Sequence, residues 1–184
     1  LVGQTDITSG SVSGGRASGG HELALALDMR FAARGKFKFM QMEVGMGILP
    51  CGGGASRMAR QTGLGRALEI ILSAQDYDAD DAESMGTINK ALEPDEIGPY
   101  VDALAHRIAQ FPAESINACK QMVYESIDTP IADALKAEAY WLYQATSKTP
   151  AVKRFTIADE QGLEHDIENQ RKWRDIVMQV QDIN

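Results

Sequence analysis

Ala17-Ser18-Gly19-Gly20-His21-Glu22-Leu23, followed by Met42-Glu43-Val44-Gly45-Met46-Gly47-Ile48-Leu49-Pro50-Cys51-Gly52-Gly53-Gly54, is the stretch that decides how this chain is read. Each segment sets a glutamate beside a glycine-rich turn. Glycine lets a backbone approach a ligand closely and adopt positive φ. A helix that begins at such a turn aims free N–H groups at whatever lies in front of it. Glu22, one turn into that helix, and Glu43, on a neighbouring loop, form an acid–base pair beside an anion-stabilising pocket.

Working outward, residues 5–20 are rich in Ser, Thr and Gly and read as turns with one short strand around Val12. Residues 21–33 read as a buried helix, because Leu23, Ala24, Leu25, Ala26 and Leu27 leave little polar face. Residues 37–42 alternate like a short strand. The glycines at 52, 53 and 54 precede a helix carrying Met58 and Ala59, which Gly63 ends. Residues 65–73 form a second helix, and Asp78, Asp80 and Asp81 suit the first turn of a third. Residues 87–89 read as a brief strand. Beyond Pro94 the pattern is helical, punctuated by Pro112, Pro130 and Pro150. The order is α/β in the first half and helical in the second.

The bulk numbers bound the function. A chain of 184 residues buries a sizeable single core. A formal net charge of −8 argues against a nucleic-acid surface without a local basic patch. No apolar run is long enough to span a membrane, and residues 1–6 show neither the basic start nor the apolar stretch of a signal peptide. Cys51 and Cys119 lack metal-ligand spacing, so no metal is expected. Unpaired cysteines and eight methionines suit a reducing cytoplasm. The glycine runs at 14–19 and 52–54 are not followed by the Lys and Ser/Thr of a phosphate loop.

In order, these motifs resemble the enoyl-CoA hydratase/isomerase (crotonase) family. Gly19-Gly20-His21-Glu22-Leu23-Ala24 with Asp28 matches its Gly-Gly-x-Glu-Leu-Ala signature. Phe39 with Glu43, Gly47-Ile48-Leu49-Pro50, and the glycines leading to Arg57 match its second signature. Gly65-Arg66-Ala67-Leu68-Glu69, Asp80-Asp81-Ala82-Glu83 and Gly86-Thr87-Ile88-Asn89 follow in the family's order. The resemblance covers residues 12–92; the tail fits in general character only. It implies a crotonase-like ββα spiral core lacking its N-terminal part over residues 1–93, then a helical trimerisation region over 94–184. Residues 7–12 are more polar than the family's buried strand, which implies disorder there. The match starts in the middle of the family's domain. The chain is therefore expected to be a fragment of a longer gene product and, by itself, a poor catalyst without the second oxyanion donor.

The resemblance also implies a chemistry. Water adds to an α,β-unsaturated acyl-CoA thioester, with one of Glu22 and Glu43 taking a proton from water and the other delivering one to the α-carbon. The Gly19 N–H holds the thioester oxygen. Gly20, Gly47, Pro50 and Cys51 contact substrate or water, Cys51 through its backbone, and Lys172 meets the CoA phosphates. No cofactor is expected beyond the coenzyme A of the substrate. The implied assembly is a homotrimer or dimer of trimers in the cytoplasm, with no nucleic-acid or membrane partner. Two alternatives stay open: a double-bond isomerase, which needs one carboxylate, and a non-catalytic assembly module on the same fold.

Each residue also has a plainer reading. Glu22 alone is a first-turn acid that complements a helix dipole, and Glu43 alone is a solvated loop acid. His21 reads as a packing residue. The Cys51 thiol has no basic partner visible in sequence. Arg171-Lys172-Trp173-Arg174 reads as a solvated helix face.

Overall fold

Strands β1 (Ser9–Val12) and β2 (Gly15–Ala17) lead into helix α1 (Gly19–Leu25). Strands β3 (Met29–Ala33) and β4 (Phe37–Phe39) lead into a single 3-10 turn, Glu43–Met46. Three helices follow: α2 (Gly54–Thr62), α3 (Leu64–Ser73) and α4 (Ala79–Met85). Strand β5 (Lys90–Leu92) comes next. The computed structural model describes residues 9–12, 15–147, 149–162, 166–173 and 175.

The strands sort into two parallel sheets. One has the order β1-β3-β5, and the other pairs β2 with β4. Ser9 stands beside Met29, Phe31 beside Lys90, and Gly15 beside Phe37. Each turn of chain thus lays one strand in each sheet and returns through helix, a ββα spiral. Parallel neighbours require such long crossovers. The core between strands and helices is built from Leu25, Ala32, Phe37, Phe39, Met58, Ala67, Ile70, Tyr77 and Ala91, among others. Phe39 and Tyr77 exchange backbone hydrogen bonds at 2.8 Å each, tying β4 to the segment before α4. Asp78 and Asp81 close a reciprocal capping box at the start of α4.

Three expectations need correction. The helix read over residues 21–33 ends at Leu25, and Met29–Ala33 is a strand with Arg30 to Ala33 buried. A largely apolar stretch, broken between Leu23 and Ala33 by Asp28 and Arg30, suits a buried helix and a buried parallel strand equally, so periodicity could not separate them. The strand read at 87–89 begins instead at Lys90. The N–H groups of Thr87 and Ile88 are spent on the Ala82 carbonyl, and the Asn89 side chain accepts from the Arg30 N–H at 2.8 Å. Finally, disorder was expected over residues 7–12, yet Ser9–Val12 pairs in register with Met29–Ala32; Ile7 and Thr8 lie outside the described residues. A parallel partner supplies hydrogen bonds whatever the side chains are.

The chain divides into two compact units, residues 1–104 and 105–184. Helix α5 (Ile97–Ala109) runs across that boundary. The second unit carries α6 (Ala113–Ile127), α7 (Ile131–Thr146), α8 (Thr149–Glu160) and α9 (Ile167–Arg171). Pro112 and Pro130 are the N-caps of α6 and α7, and Pro150 sits in the first turn of α8. A helix start needs no N–H from these positions. Within this unit α6 and α7 pack together, burying Ala118 and Ala134, and Trp141 Nε1 donates to Glu125 at 3.0 Å.

Candidate active site

Two carboxylates converge on the start of α1. Glu22 lies in its first turn, and its N–H donates to the Ser18 carbonyl at 3.1 Å. Its Oε1 accepts two backbone hydrogen bonds, from Gly52 and Gly54, each 2.9 Å long. Gly53 is the N-cap of α2, so Glu22 satisfies N–H groups at the start of that helix, where a negative charge is favoured. The turn has no room for side chains. A Cβ on Gly52 would stand 2.6 Å from Glu22 Oε2, and one on Gly54 would stand 2.7 Å from Glu22 Oε1. Gly53 has φ +104, and a Cβ there would meet the Arg57 guanidinium, which donates to the Gly52 carbonyl at 3.0 Å.

Glu43 opens the 3-10 turn that follows β4. Its Oε1 accepts a hydrogen bond from the Ser18 hydroxyl, and its Oε2 is buried without a hydrogen-bond partner among the described residues. Gly47 ends that turn at φ +74, and its N–H donates to the Val44 carbonyl at 3.1 Å. Ser18 is the residue before Gly19. The same short segment, 18–22, therefore carries Glu22 and holds Glu43.

The other residues singled out in sequence fall as follows. Gly19 and Gly20 begin α1 and are exposed. A Cβ on Gly19 would meet nothing within 4 Å, so the helix start faces open space among the described residues. Pro50 is buried, and its Cβ would lie 2.9 Å from a Cβ on Gly54. Cys51 is exposed between Pro50 and Gly52, with a free thiol. Lys172 belongs to the second unit, where it is the exposed C-cap of α9. His21 packs as expected: it is 1% exposed, and its ring centroid lies 4.8 Å from that of Phe39. Burial first, then the Arg30 charge, push its pKa down to about 4, with the Met40 backbone opposing in part.

Sequence reasoning missed Ser18 and Gln41. Gln41 is fully buried, and neither atom of its amide has a hydrogen-bond partner among the described residues. Its Nε2 would lie 3.2 Å from a Cβ on Gly54, the position that Glu22 Oε1 also crowds. A buried, unpartnered amide beside a carboxylate is costly unless water or a ligand meets it. The signal was in the alternation: Phe37, Phe39 and Gln41 occupy one buried parity, with Lys38 exposed between. A polar residue in that register marks a site. Ser18 had no such signal, because its partner is 25 residues away.

Two carboxyl groups at a glycine-lined helix start, one acceptor-saturated on one oxygen and one with a free oxygen, can move two protons on opposite sides of a small polar reaction. The chain is 37% identical over 138 residues to a crotonyl-CoA hydratase from Syntrophomonas wolfei, covering 74% of this chain and 53% of that protein. It is 38% identical over 125 residues to a short-chain-enoyl-CoA hydratase from Clostridioides difficile, covering 68% of this chain and 80% of that protein. Against the first of these, and a short-chain-enoyl-CoA hydratase from Clostridium acetobutylicum of which it covers 49%, the chain spans about half the relative's length. Its backbone superimposes on an enoyl-CoA hydratase subunit from Geobacillus kaustophilus with TM-score 0.80 and 26% identity, covering 85% of this chain and 61% of that one. The two-sheet ββα spiral is thus the crotonase fold. The sequence profile of the family matches residues 6–174, and with these relatives it shows that the chain belongs to the enoyl-CoA hydratase/isomerase family.

Proposed function

We propose that the protein carrying this chain adds water to a short α,β-unsaturated acyl-CoA thioester. The observation that carries this reading is the pair of glutamates tied to residues 18–22 by different means. A carboxylate only accepts hydrogen bonds, and Glu22 Oε1 faces two N–H donors. Glu22 is therefore the base that takes a proton from water. Glu43 Oε2 is buried and unpartnered, which suits the oxygen that carries the proton for the α-carbon. As the water oxygen bonds the β-carbon, the π electrons move towards the thioester oxygen, and the Gly19 N–H at the start of α1 stabilises the developing charge. Gly20, Gly47, Pro50 and the Cys51 backbone shape the pocket around it, and Lys172 is assigned to the CoA phosphates. The only cofactor needed is the coenzyme A of the substrate.

Similarity to relatives named for crotonyl-CoA and short-chain enoyl-CoA supports the substrate class. We assign the working assembly as a homotrimer or dimer of trimers in the cytoplasm. Its support is the exposed apolar stripe of α7, where Leu135, Leu142 and Tyr143 are 55%, 63% and 67% exposed. The test is hydration of crotonyl-CoA, followed by loss of enoyl absorbance. Turnover that needs both glutamates supports the reading. Turnover that needs one carboxylate and only shifts a double bond favours isomerisation, and thioester binding without turnover favours an assembly module.

A further inference from the structure

We propose that Ser18 is the positioning residue for Glu43, holding its carboxyl group by Oε1 so that Oε2 is the oxygen that exchanges a proton with the substrate α-carbon. The inference rests on the hydratase reading above. Ser18 is the N-cap of α1, and an N-cap serine ordinarily turns its hydroxyl to the N–H of the second or third helical residue. Here it makes no such bond. Its backbone is helical, with φ −100 and ψ −75, and its hydroxyl donates instead to Glu43 Oε1. The capping role has been given up for a tertiary one. No other protein hydrogen bond to the Glu43 carboxyl group is seen among the described residues: Oε2 is buried and unpartnered.

The arrangement has a chemical consequence. A glutamate side chain has three rotatable torsions, so one fixed oxygen decides where the other points. In the forward step the Glu43 Oε2–H bond breaks and its proton passes to the α-carbon. The water proton goes to Glu22, and Ser18 continues to donate to Oε1 of the resulting Glu43 carboxylate. Exchange with solvent then restores both carboxyl groups. The Ser18 carbonyl also accepts the Glu22 N–H at 3.1 Å, so the helical turn that carries Glu22 begins at the residue that holds Glu43.

The test compares S18A and S18T with the unsubstituted, intact protein. In S18A, kcat for crotonyl-CoA hydration is expected to fall about 10- to 100-fold, as a misplacement of about 1 Å does, with KM unchanged within about twofold. Exchange of the α-proton in D2O, read by NMR, is expected to slow by the same factor, and S18T to restore both. In an E43Q background S18A is expected to cost nothing further, because the two residues act as a unit. Losses that add in the double variant, or an S18A whose only change is a lower Tm, overturn the assignment. A crystal structure of S18A decides the point without turnover: a Glu43 carboxyl group that has swung away supports it, and one that has not moved overturns it. If the intact protein hydrates no enoyl-CoA, the hydratase reading falls while the crystal structure still decides the role of Ser18.

Discussion

The N–H of Gly54 donates to Glu22 Oε1 at 2.9 Å, and a Cβ on Gly54 would stand 2.7 Å from that same oxygen. The hydrogen bond and the glycine are one requirement. The backbone reaches the carboxylate only because nothing projects from it, so the turn that opens α2 and the glutamate of α1 define each other's position. Gly52 adds a second 2.9 Å bond to Oε1, and a Cβ there would stand 2.6 Å from the other carboxylate oxygen, Oε2.

Alanine at these two positions should separate function from stability. In G52A the three nearest atoms the added methyl meets all belong to the Glu22 side chain, Oε2 most closely at 2.6 Å and Cβ only at 3.4 Å, so the carboxylate is displaced at little cost to folding. Hydration should drop about 10²-fold, the size of a lost general base, with Tm nearly unchanged. In G54A, a buried position, the methyl also meets the buried Pro50 at 2.9 Å. That overpacking should cost about 1–3 kcal/mol in addition, read by thermal or urea unfolding. Equal melting of the two variants would contradict this geometry.

Glutamine at either carboxylate should be severe for different reasons. E22Q puts one amide group where two N–H donors converge on a single oxygen, so a flipped amide leaves donors facing donors. E43Q keeps an acceptor for Ser18 and removes the transferable proton. Each should lower crotonyl-CoA hydration about 10²-fold or more. E43Q, but not E22Q, should also lose exchange of the α-proton. Exchange that survives in E43Q would move the proton-donating role elsewhere.

His21 predicts a pH dependence of stability. Its folded pKa of about 4 lies below its unfolded value of 6.5. Between those values the unfolded chain binds a proton that the folded chain refuses, so the unfolded state gains stability as pH falls. The contribution of a neutral, buried His21 is full above about pH 6.5 and declines towards pH 4 by about 3 kcal/mol, at roughly 1.4 kcal/mol per pH unit. Urea unfolding at pH 7 and pH 4.5 should show this loss, and H21Q should show a smaller one. An identical pH slope in H21Q would remove His21 as its source.

The stripe on α7 predicts association. Leu142 and Tyr143 are large, apolar and more than 60% exposed, and surface of this kind is normally covered. Light scattering of the intact protein at micromolar concentration should show an oligomer. L142D should shift it to smaller species while leaving the helical content unchanged. A monomer in both cases would leave the stripe to another partner.

The helices that punctuation controls were legible from residues alone. Gly63 ends α2, Asp78 with Asp81 starts α4, and Pro112 and Pro130 start α6 and α7. Each rule is local and acts through φ or a missing N–H. The two glutamates beside the glycine turns were legible for the same reason, since a glycine turn beside a carboxylate is a short-range pattern. Met29–Ala33 was not, because an apolar run says that a segment is buried without saying whether it hydrogen-bonds to itself or to a neighbour.

By itself, then, the sequence determined the helical second half, the glycine turns at 19 and 52–54, the two glutamates and the family to which the chain belongs. Only the tertiary structure decided that Met29–Ala33 joins a parallel sheet, that Glu22 takes its hydrogen bonds from Gly52 and Gly54, that Glu43 takes its own from Ser18, and that Gln41 is buried beside them. The physical reason is range. Turn and capping preferences act over a few residues, whereas the strand pairing and the hydrogen bonds to the two carboxyl groups join positions 20 or more apart, and their partners exist only once the spiral has brought the segments together.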